Sequence, residues 1–269
     1  MTSCTRSDWS EWDMHILVTN DDGVTAPGLL ALAQAMKSLG KVSVLAPDRN
    51  WSASGHVKTL HRPLRAKPVE LSDGTPALAS DGAPSDCVAL ALMGLISDPV
   101  DLVVSGFNPY ANVAHDLTYS GTVTAAMEAA IFGVKAVAFS LHSSDETPQP
   151  LDYGPAAEFA LRIATEVLAH DLPANTLLNV NIPALPRDQI HGILVTRQGT
   201  RIYRDKLLRR EDPRGRPYYW IGGDAPTGVP EPGTDFGALE AGYVSITPIQ
   251  LDLTAYAFIE TLKGWDLLK

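Results

Sequence analysis

The sequence contains few cysteines, no long apolar run and no excess of basic residues, and each absence excludes a class of protein. Two cysteines in 269 residues, Cys4 and Cys87, cannot form a disulfide framework, and their spacing fits no zinc motif. This low cysteine content predicts a reducing, cytoplasmic environment for the protein. With 21 Lys plus Arg against 31 Asp plus Glu, the net charge of −10 differs from that of a general nucleic-acid-binding protein. We therefore expect no nucleic acid polymer as a partner.

The most apolar part of the chain does not suit a membrane span. Residues 117–141 form the longest apolar stretch, but Glu128, Lys135 and several small polar residues interrupt it. Residues 1–13 carry Asp and Glu and contain no apolar segment of the kind found in signal peptides. We expect no membrane association, and we interpret 1–13 as a loosely ordered N-terminal extension.

Several familiar sequence motifs are also absent. The chain has neither the G-x-x-x-x-G-K-[ST] motif of P-loop NTPases nor G-x-G-x-x-G after its first predicted strand, which disfavours dinucleotide dehydrogenases as well. It has no G-x-S-x-G nucleophile elbow and no H-E-x-x-H metal motif. His56 and His115 lie in loops, where we expect hydrogen-bonding roles more than catalytic ones.

The first two thirds of the chain alternate short β-branched runs with helical patterns. Near-continuous apolar strands that alternate with helices are typical of a parallel sheet covered on both faces. The predicted strands are 16–19, 42–46, 100–104, 134–141, 177–182 and 192–196. The predicted helices are 27–39, ended by Gly40, then 85–96, capped by Ser85 or Asp86, and 122–132 and 155–170. The pattern predicts an α/β fold, with a three-layer α/β/α Rossmann-like core and a mainly parallel sheet over residues 14–200.

The composition changes after residue 200. Residues 201–235 are rich in Arg, Asp, Pro and Gly and include Tyr218-Tyr219-Trp220, which predicts an extended hairpin arm. A returning strand at 243–248 and a helix at 255–264 follow, so that 201–269 form a C-terminal unit with a role in oligomerisation. Exposed aromatic residues often form oligomer contacts. A flap folded back onto its own subunit is an equally weighted alternative.

Polar clusters follow three of the predicted strands, where open parallel sheets bind their ligands. The first strand ends in Asn20-Asp21-Asp22-Gly23. Adjacent carboxylates repel each other unless a positive group lies nearby, and a hard divalent cation is the usual one. An Asx turn or a helix cap would explain a single aspartate. For the pair, metal ligation is slightly favoured.

The other clusters are weaker signals when each is taken alone. The second strand is followed by Arg49, Asn50, Ser52 and Ser54, and the strand at 100–104 by Ser105-Gly106-Phe107-Asn108. Small hydroxyl residues surround Gly121 at the start of a helix, where backbone N–H groups and the helix dipole favour anions. Ordinary capping by Ser120 or Thr122 explains that segment equally simply. Together the clusters predict a divalent-metal and anion site at the strand ends of an acidic α/β protein.

Taken in order, these segments resemble the SurE (survival protein E) family of metal-dependent nucleotidases. The resemblance extends from about Met14 to the C-terminal helix. It rests on Ile-Leu-Val-Thr-Asn-Asp-Asp-Gly-Val at 16–24, Ala-Pro-Gly at 26–28, Ala-Pro-Asp-Arg-Asn at 46–50, Ser-Gly-Phe-Asn at 105–108, Tyr-Ser-Gly-Thr-Val at 119–123 and Gly-Tyr-Val-Ser-Ile-Thr-Pro at 242–248.

The resemblance implies a 5′/3′-nucleotidase that hydrolyses nucleoside monophosphates with Mg²⁺ or Mn²⁺, built as a Rossmann-like core with a C-terminal arm exchanged in a homodimer or homotetramer. It places the metal ligands at Asp21, Asp22, Ser52 and Asn108. It places the phosphate-binding residues at Asn112, Ser120, Gly121 and Thr122. Asp21 is then the candidate nucleophile or general base, and the sequence does not separate these two roles.

The loop after Asn108 departs from the family pattern S-G-x-N-x-G-x-N-x-G-x-D. Tyr110 and Ala114 occupy the positions of two glycines, and Pro109 stiffens the segment. We expect a different loop path, in which Tyr110 stacks on a nucleobase or covers part of the pocket. The departure supports an alternative function, a non-catalytic protein that binds nucleotides or phosphate. A third interpretation makes the acidic turn structural and the protein an assembly module.

Overall fold

A nine-stranded mixed sheet forms the centre of this computed structural model, which describes residues 14–144 and 146–266. The N-terminal extension at 1–13 lies outside the described residues. The strands are β1 (Met14–Thr19), β2 (Gly40–Pro47), β3 (Ala66–Glu70), β4 (Pro76–Ser80), β5 (Leu102–Asn108), β6 (Lys135–His142), β7 (Thr176–Pro183), β8 (Ile193–Val195), β9 (Arg201–Glu211), β10 (Pro217–Gly228) and β11 (Val244–Gln250).

The order of strands in the sheet is β3-β4-β2-β1-β5-β6-β7-β11-β8, and β9 pairs with β10 in a separate two-stranded sheet. From β4 to β7 all neighbouring strands are parallel. Strand β3 runs antiparallel to β4, and β11 runs antiparallel to β7. The sheet is therefore mainly parallel, as the sequence predicts.

The helices connect the strands and cover both faces of the sheet. The α-helices of the described residues are α1 (Pro27–Met36), α2 (Pro84–Leu90), α3 (Gly121–Ile131), α4 (Gly154–Ala169), α5 (Asp235–Glu240) and α6 (Tyr256–Lys263). Short 3₁₀ turns occur at Lys37–Leu39, Ala114–Thr118 and Arg187–Gln189, and a π turn follows α2 at Ala91–Leu95. In the part of the chain that the structure describes, no helix is both long and apolar enough to cross a bilayer.

Alternating side chains of β1 show why both faces of the sheet are covered. Ile16 and Val18 pack in one buried cluster with residues of α1 and α4, including Leu29 and Phe159. Leu17, between them, packs in a second cluster with Val123 and other residues of α2 and α3. A strand buried on both faces reads as a continuous apolar run. The three-layer α/β/α fold class is confirmed.

One predicted helix boundary differs from the structure and another agrees with it. The N-cap of α2 is Ala83, so the prediction of Ser85 or Asp86 as the cap is wrong. Pro84 occupies the first turn, where its missing N–H costs no hydrogen bond, and Asp86 accepts a 3.0 Å hydrogen bond from the Ala83 N–H. Helix α1 ends at Met36 and continues as the 3₁₀ turn at Lys37–Leu39, whose C-cap is Gly40, so Gly40 ends this helical segment as predicted. Gly40 also begins β2, where a Cβ would lie 2.2 Å from the Met14 carbonyl oxygen.

The predicted arm is the β9–β10 hairpin, and its outer part is exposed. Leu207, Trp220 and Ile221 are exposed to 70%, 62% and 84%. Near its base, the arm contacts the turn at Ala114–Thr118 of the same chain. Helix α5 follows the arm, β11 returns to the main sheet between β7 and β8, and α6 has no buried residue. The division of the chain at residue 200 stays a prediction.

Candidate active site

A pocket of about 390 Å³ opens beyond the carboxyl ends of β1, β2 and β5. Seven of the nine predicted site residues line it: Asp21, Asp22, Ser52, Asn108, Tyr110, Asn112 and Ser120. The other two, Gly121 and Thr122, are buried in the first turn of α3, next to Asp21. The structure thus brings together residues from four separate segments of the chain.

The side chain of Asn20 forms the hydrogen bonds of the turn after β1, and both aspartates line the pocket. The Asn20 side chain donates a 3.0 Å hydrogen bond to the Gly23 carbonyl and accepts one of 3.2 Å from the Gly23 N–H. Gly23 has a φ of 102°, which L-residues with a side chain rarely adopt. The turn therefore needs no contribution from the side chains of Asp21 or Asp22.

Asp21 lies against the first turn of α3. Its carboxylate Oδ1 accepts a 2.6 Å hydrogen bond from the Thr122 hydroxyl, and the residue is only 3% exposed. A Cβ on Gly121 would lie 2.7 Å from the Asp21 Cβ, so this approach requires glycine. Burial raises the pKa of Asp21, and the hydrogen bond from Thr122 opposes that rise.

Asp22 is less buried but lies in an acidic environment. Burial and the adjacent charge of Asp21 raise the pKa of Asp22 to about 6. A 3.2 Å hydrogen bond from the Asn50 amide acts in the opposite direction and lowers this pKa. Within residues 14–144 and 146–266, no Lys or Arg forms an ion pair with either aspartate. The two carboxylates therefore have no basic partner from the described chain.

The loop after β2 is attached to β1 and carries Ser52 to the pocket. The Trp51 N–H donates a 2.7 Å hydrogen bond to the Asp21 carbonyl. The Ser52 N–H donates one of 2.7 Å to Oδ1 of Asn50, whose amide in turn contacts Asp22. These bonds fix the position of Ser52 relative to the two aspartates.

The far end of this loop is attached to α3 through a buried glutamate. Glu128, 3% exposed, lies 2.8 Å from Nε2 of His56 and 2.9 Å from Nζ of Lys58. The hydrogen bond from His56 is the main cause that lowers the pKa of Glu128. His56 therefore has the hydrogen-bonding role expected from the sequence, and it is absent from the lining of the pocket.

Asn112 is held by polar side chains at the ends of β6 and β7. Its backbone N–H donates a 2.8 Å hydrogen bond to Oδ1 of Asn181, and its carbonyl accepts from the amides of Asn179 and Asn181. Its own side-chain amide donates a 2.9 Å bond to the Ser140 hydroxyl. The amide of Asn108 donates to the carbonyl of Tyr110. These contacts fix the loop that follows β5.

The two replaced glycines behave differently in the structure. Ala114 adopts a φ of 52°, in the left-handed region that glycine enters freely and other residues enter at a cost of about 1–2 kcal/mol. The backbone at this position therefore retains a conformation suited to glycine. Tyr110 is 56% exposed and lines the pocket, a position that allows it to contact a ligand.

The pocket also has seven lining residues that were not among the predicted site residues: Asn50, Ala53, Pro109, Ala111, Asp116, Tyr119 and Pro226. Asn50 belongs to a cluster that the sequence singled out, and Tyr119 directly precedes Ser120. Asp116 is the final position of the loop pattern that carries Asn108 and Asn112. Pro226 lies on the arm, and no local sequence signal indicates that the arm reaches the pocket.

The fold and the pocket define an α/β protein with an acidic, oxygen-rich site at the ends of its parallel strands and a helix N-terminus beside it. Residues 16–205 match the model of the family described as "Survival protein SurE". The chain therefore belongs to the SurE family, which confirms the resemblance seen in the sequence.

Proteins that are similar to this chain over nearly its whole length support the family assignment. A protein of Herpetosiphon aurantiacus named "5'-nucleotidase SurE" is 52% identical over 250 residues, which cover 93% of this chain and 97% of that protein. One of the same name from Chloroflexus aggregans is 50% identical over 253 residues, covering 94% and 99%. The crystal structure of the SurE protein from Aquifex aeolicus has a TM-score of 0.78 and 40% identity, and the match covers 93% of this chain and 98% of that one.

Proposed function

We propose that the protein is a phosphomonoesterase that hydrolyses nucleoside 5′-monophosphates, and also 3′-monophosphates, to nucleoside and phosphate in the presence of Mg²⁺ or Mn²⁺. Membership of the SurE family and relatives named 5'-nucleotidase SurE support this class of reaction. The hydrogen bond between Thr122 and Asp21 carries the proposal, because it brings a buried carboxylate against a helix N-terminus at the edge of the pocket.

The chemistry of the donor set fits a hard divalent cation. Asp21, Asp22, Ser52 and Asn108 would hold it through carboxylate, hydroxyl and amide oxygens. The described residues contain no group of three or more His, Cys, Asp or Glu arranged for a metal, so the neutral oxygens are needed beside the two carboxylates. When bound, the cation would polarise the phosphoryl group and offset the repulsion between the aspartates.

The residues of the chain itself would bind the phosphate and activate the attacking group. Thr122 holds Oδ1 of Asp21 and so orients its carboxylate, which acts as nucleophile or as general base toward water. Ser120 accepts a 3.1 Å hydrogen bond from the Val123 N–H, and its own O–H would donate to a phosphate oxygen. The start of α3, with Gly121, favours the negative charge of that phosphate. Asn112 would contact the phosphate from the opposite loop.

The nucleoside would lie toward Tyr110, which is exposed in the pocket and offers an aromatic ring to a base. We further propose that the arm and α6 form a homodimer or homotetramer. The exposed apolar residues of β9 and β10, and the absence of any buried residue on α6, support this assembly. The cytoplasmic location expected from the cysteine usage stays a prediction.

A non-catalytic nucleotide- or phosphate-binding protein is the second candidate. The replacement of two loop glycines by Tyr110 and Ala114 favours it, because the wall of the pocket differs from the family pattern there. The assembly-module interpretation differs from both, since it expects no cation to bind at Asp21 and Asp22.

The test is phosphate release from a panel of nucleoside 5′- and 3′-monophosphates with Mg²⁺, Mn²⁺ or EDTA. We expect release that needs the cation and that is lost in Asp22→Ala, whereas Asp98→Ala, at an exposed ion pair with Lys41, retains it. Nucleotide binding without turnover would favour the non-catalytic candidate. Absence of both cation and nucleotide binding in calorimetry would leave only the assembly module.

A further inference from the structure

Asp235 is a buried carboxylate outside the pocket, and it binds backbone from three segments. It begins α5 and is 0% exposed. Its Oδ1 accepts 2.8 Å hydrogen bonds from the N–H groups of Gly199 and Phe236, and its Oδ2 accepts one of 2.8 Å from the N–H of Ala114. Among the described residues, no basic side chain forms an ion pair with it.

The residue that Asp235 reaches, Ala114, has an unusual conformation. Its φ is 52°, which an alanine adopts only when its surroundings hold it there. Both backbone polar groups are held: the N–H by Asp235, and the carbonyl by a 2.9 Å hydrogen bond from the Gln198 amide. Gln198 precedes the arm and Asp235 follows it in the sequence, so both residues lie near the base of the arm.

This conformation determines the course of the pocket wall. Asn112 and Asp116, two residues before and two residues after Ala114, both line the pocket. Val113, between them, is fully buried and packs on Phe236, the neighbour of Asp235. Because backbone rotation at residue 114 changes the direction of the chain, it would move the two pocket residues relative to each other.

We propose that Asp235 is a positioning residue of the reaction: by holding Ala114 in the left-handed conformation, it places Asn112 and Asp116 at the substrate pocket. Asp235 does not line the pocket and acts through Ala114. This role rests on the proposed function of the site. It also gives the C-terminal part of the chain a direct influence on substrate binding.

The test compares the wild type with Asp235→Asn, Ala114→Gly and the double variant, by kcat and KM for a nucleoside monophosphate with Mn²⁺. In Asp235→Asn an amide group replaces one acceptor oxygen, so we expect kcat/KM to fall at least about tenfold. Glycine adopts the left-handed conformation without a steric cost, so it needs no hydrogen bond to hold it there. The double variant should therefore recover to within about threefold of Ala114→Gly. Asp98→Asn, the same chemical change at the surface, serves as the control.

Thermal melting of each variant separates positioning from a general contribution to folding, because a positioning role lowers kcat/KM in a variant that is folded at the assay temperature. Wild-type kinetics in Asp235→Asn, or no recovery in a double variant whose thermal melting shows it folded, would overturn the role. If Asp235→Asn does not fold, Gln198→Leu removes the other bond to Ala114 from an exposed side chain, and the same loss and rescue are expected. If the wild type shows no turnover, the proposed function fails, and calorimetric affinity for the same nucleotide replaces kcat/KM in this comparison.

Discussion

The hydroxyl of Thr122 donates a 2.6 Å hydrogen bond to Oδ1 of Asp21, although 101 positions separate the two residues in the sequence. The contact joins the end of β1 to the beginning of α3. It places a carboxylate and a helix N-terminus on the same side of the pocket. Asp21 is thereby held in one orientation before any ligand arrives.

Replacement of Asp21 by asparagine tests its catalytic role. We expect turnover to fall by about 10²–10⁴-fold, the usual contribution of a positioned base or nucleophile. Because burial raises the pKa of Asp21, the folded state disfavours its ionised form near neutral pH, and asparagine removes that cost. Steady-state kinetics and thermal melting of the metal-free protein should therefore show lost activity without lost stability.

Near wild-type turnover in Asp21→Asn would contradict the assignment of Asp21 as nucleophile or base. Asp48→Asn is a matched control, because Asp48 lies in the loop after β2 and pairs with Arg49 at the surface. We expect its kcat to remain within about twofold of the wild type, since exposed ion pairs contribute little.

Thr122→Val removes the hydroxyl that orients Asp21 and preserves the shape of the side chain. We expect kcat to fall by about tenfold, the scale of one lost charge-assisted hydrogen bond of roughly 1.5 kcal/mol. Thr165→Val is the control: this residue is also helical, but its hydroxyl donates only to the Leu161 carbonyl on the exposed face of α4. Equal kinetics for the two variants would show that Thr122 does not orient Asp21.

Tyr110→Gly tests whether the aromatic ring at the pocket contacts the base. Loss of stacking should raise KM by about five- to tenfold for purine nucleotides, for a stacking contribution of roughly 1 kcal/mol. The order of preference among bases should change as well. Tyr110→Phe keeps the ring and should retain the wild-type order. The measurement is kcat and KM of each variant with a panel of four nucleoside monophosphates. An unchanged KM in Tyr110→Gly would rule out the contact between the ring and the base.

Glu128→Gln tests the contact that joins the loop after β2 to α3. The bond from His56 holds the pKa of Glu128 below its ordinary value of 4.5, so the ionised carboxylate stabilises the fold above that value. This contribution is lost as the pH falls through the lower pKa of the folded state. We expect Glu128→Gln to lower the free energy of unfolding by about 2 kcal/mol at pH 7. Below the folded-state pKa the difference should be much smaller.

Urea denaturation at neutral and acidic pH measures both differences. Glu158→Gln is the control, since Glu158 is 67% exposed in its pair with Arg187 and should change stability by less than about 0.5 kcal/mol. A deficit in Glu128→Gln that is the same at both pH values would show that its cause is not the charge of Glu128.

Local patterns in the sequence predict the parallel core and the polar clusters that hold Asp21, Asp22, Ser52, Asn108 and Ser120, whereas Asn112 and Tyr110 were predicted only through the resemblance to the family. A continuous apolar run such as 16–19 indicates a strand buried on both faces, and the end of such a strand indicates where ligands bind. Asp21, Ser52 and Asn108 follow three different strands, and the topology of the sheet brings these strand ends together. Their proximity follows from the order β2-β1-β5.

The remaining features depend on contacts between distant segments. Strands β3 and β4 were not predicted because Pro68, at a sheet edge, and the exposed residues around it resemble a loop. Helix α5 begins at Asp235, directly after a segment rich in Pro and Gly, and this composition predicts a loop in place of a helix. Pro226 lines the pocket only because the arm folds toward it, and no hydrophobic periodicity in the sequence predicts the position of the arm.

The position of β11 has a consequence for synthesis on the ribosome. This strand lies between β7 and β8, yet it is translated after both of them and after the whole arm. Until residue 250 has left the exit tunnel, β7 presents an unpaired edge and β8 has no neighbour. An open edge of this kind pairs readily with other unfinished chains. Premature termination before 244 should therefore give aggregates in place of a smaller soluble domain.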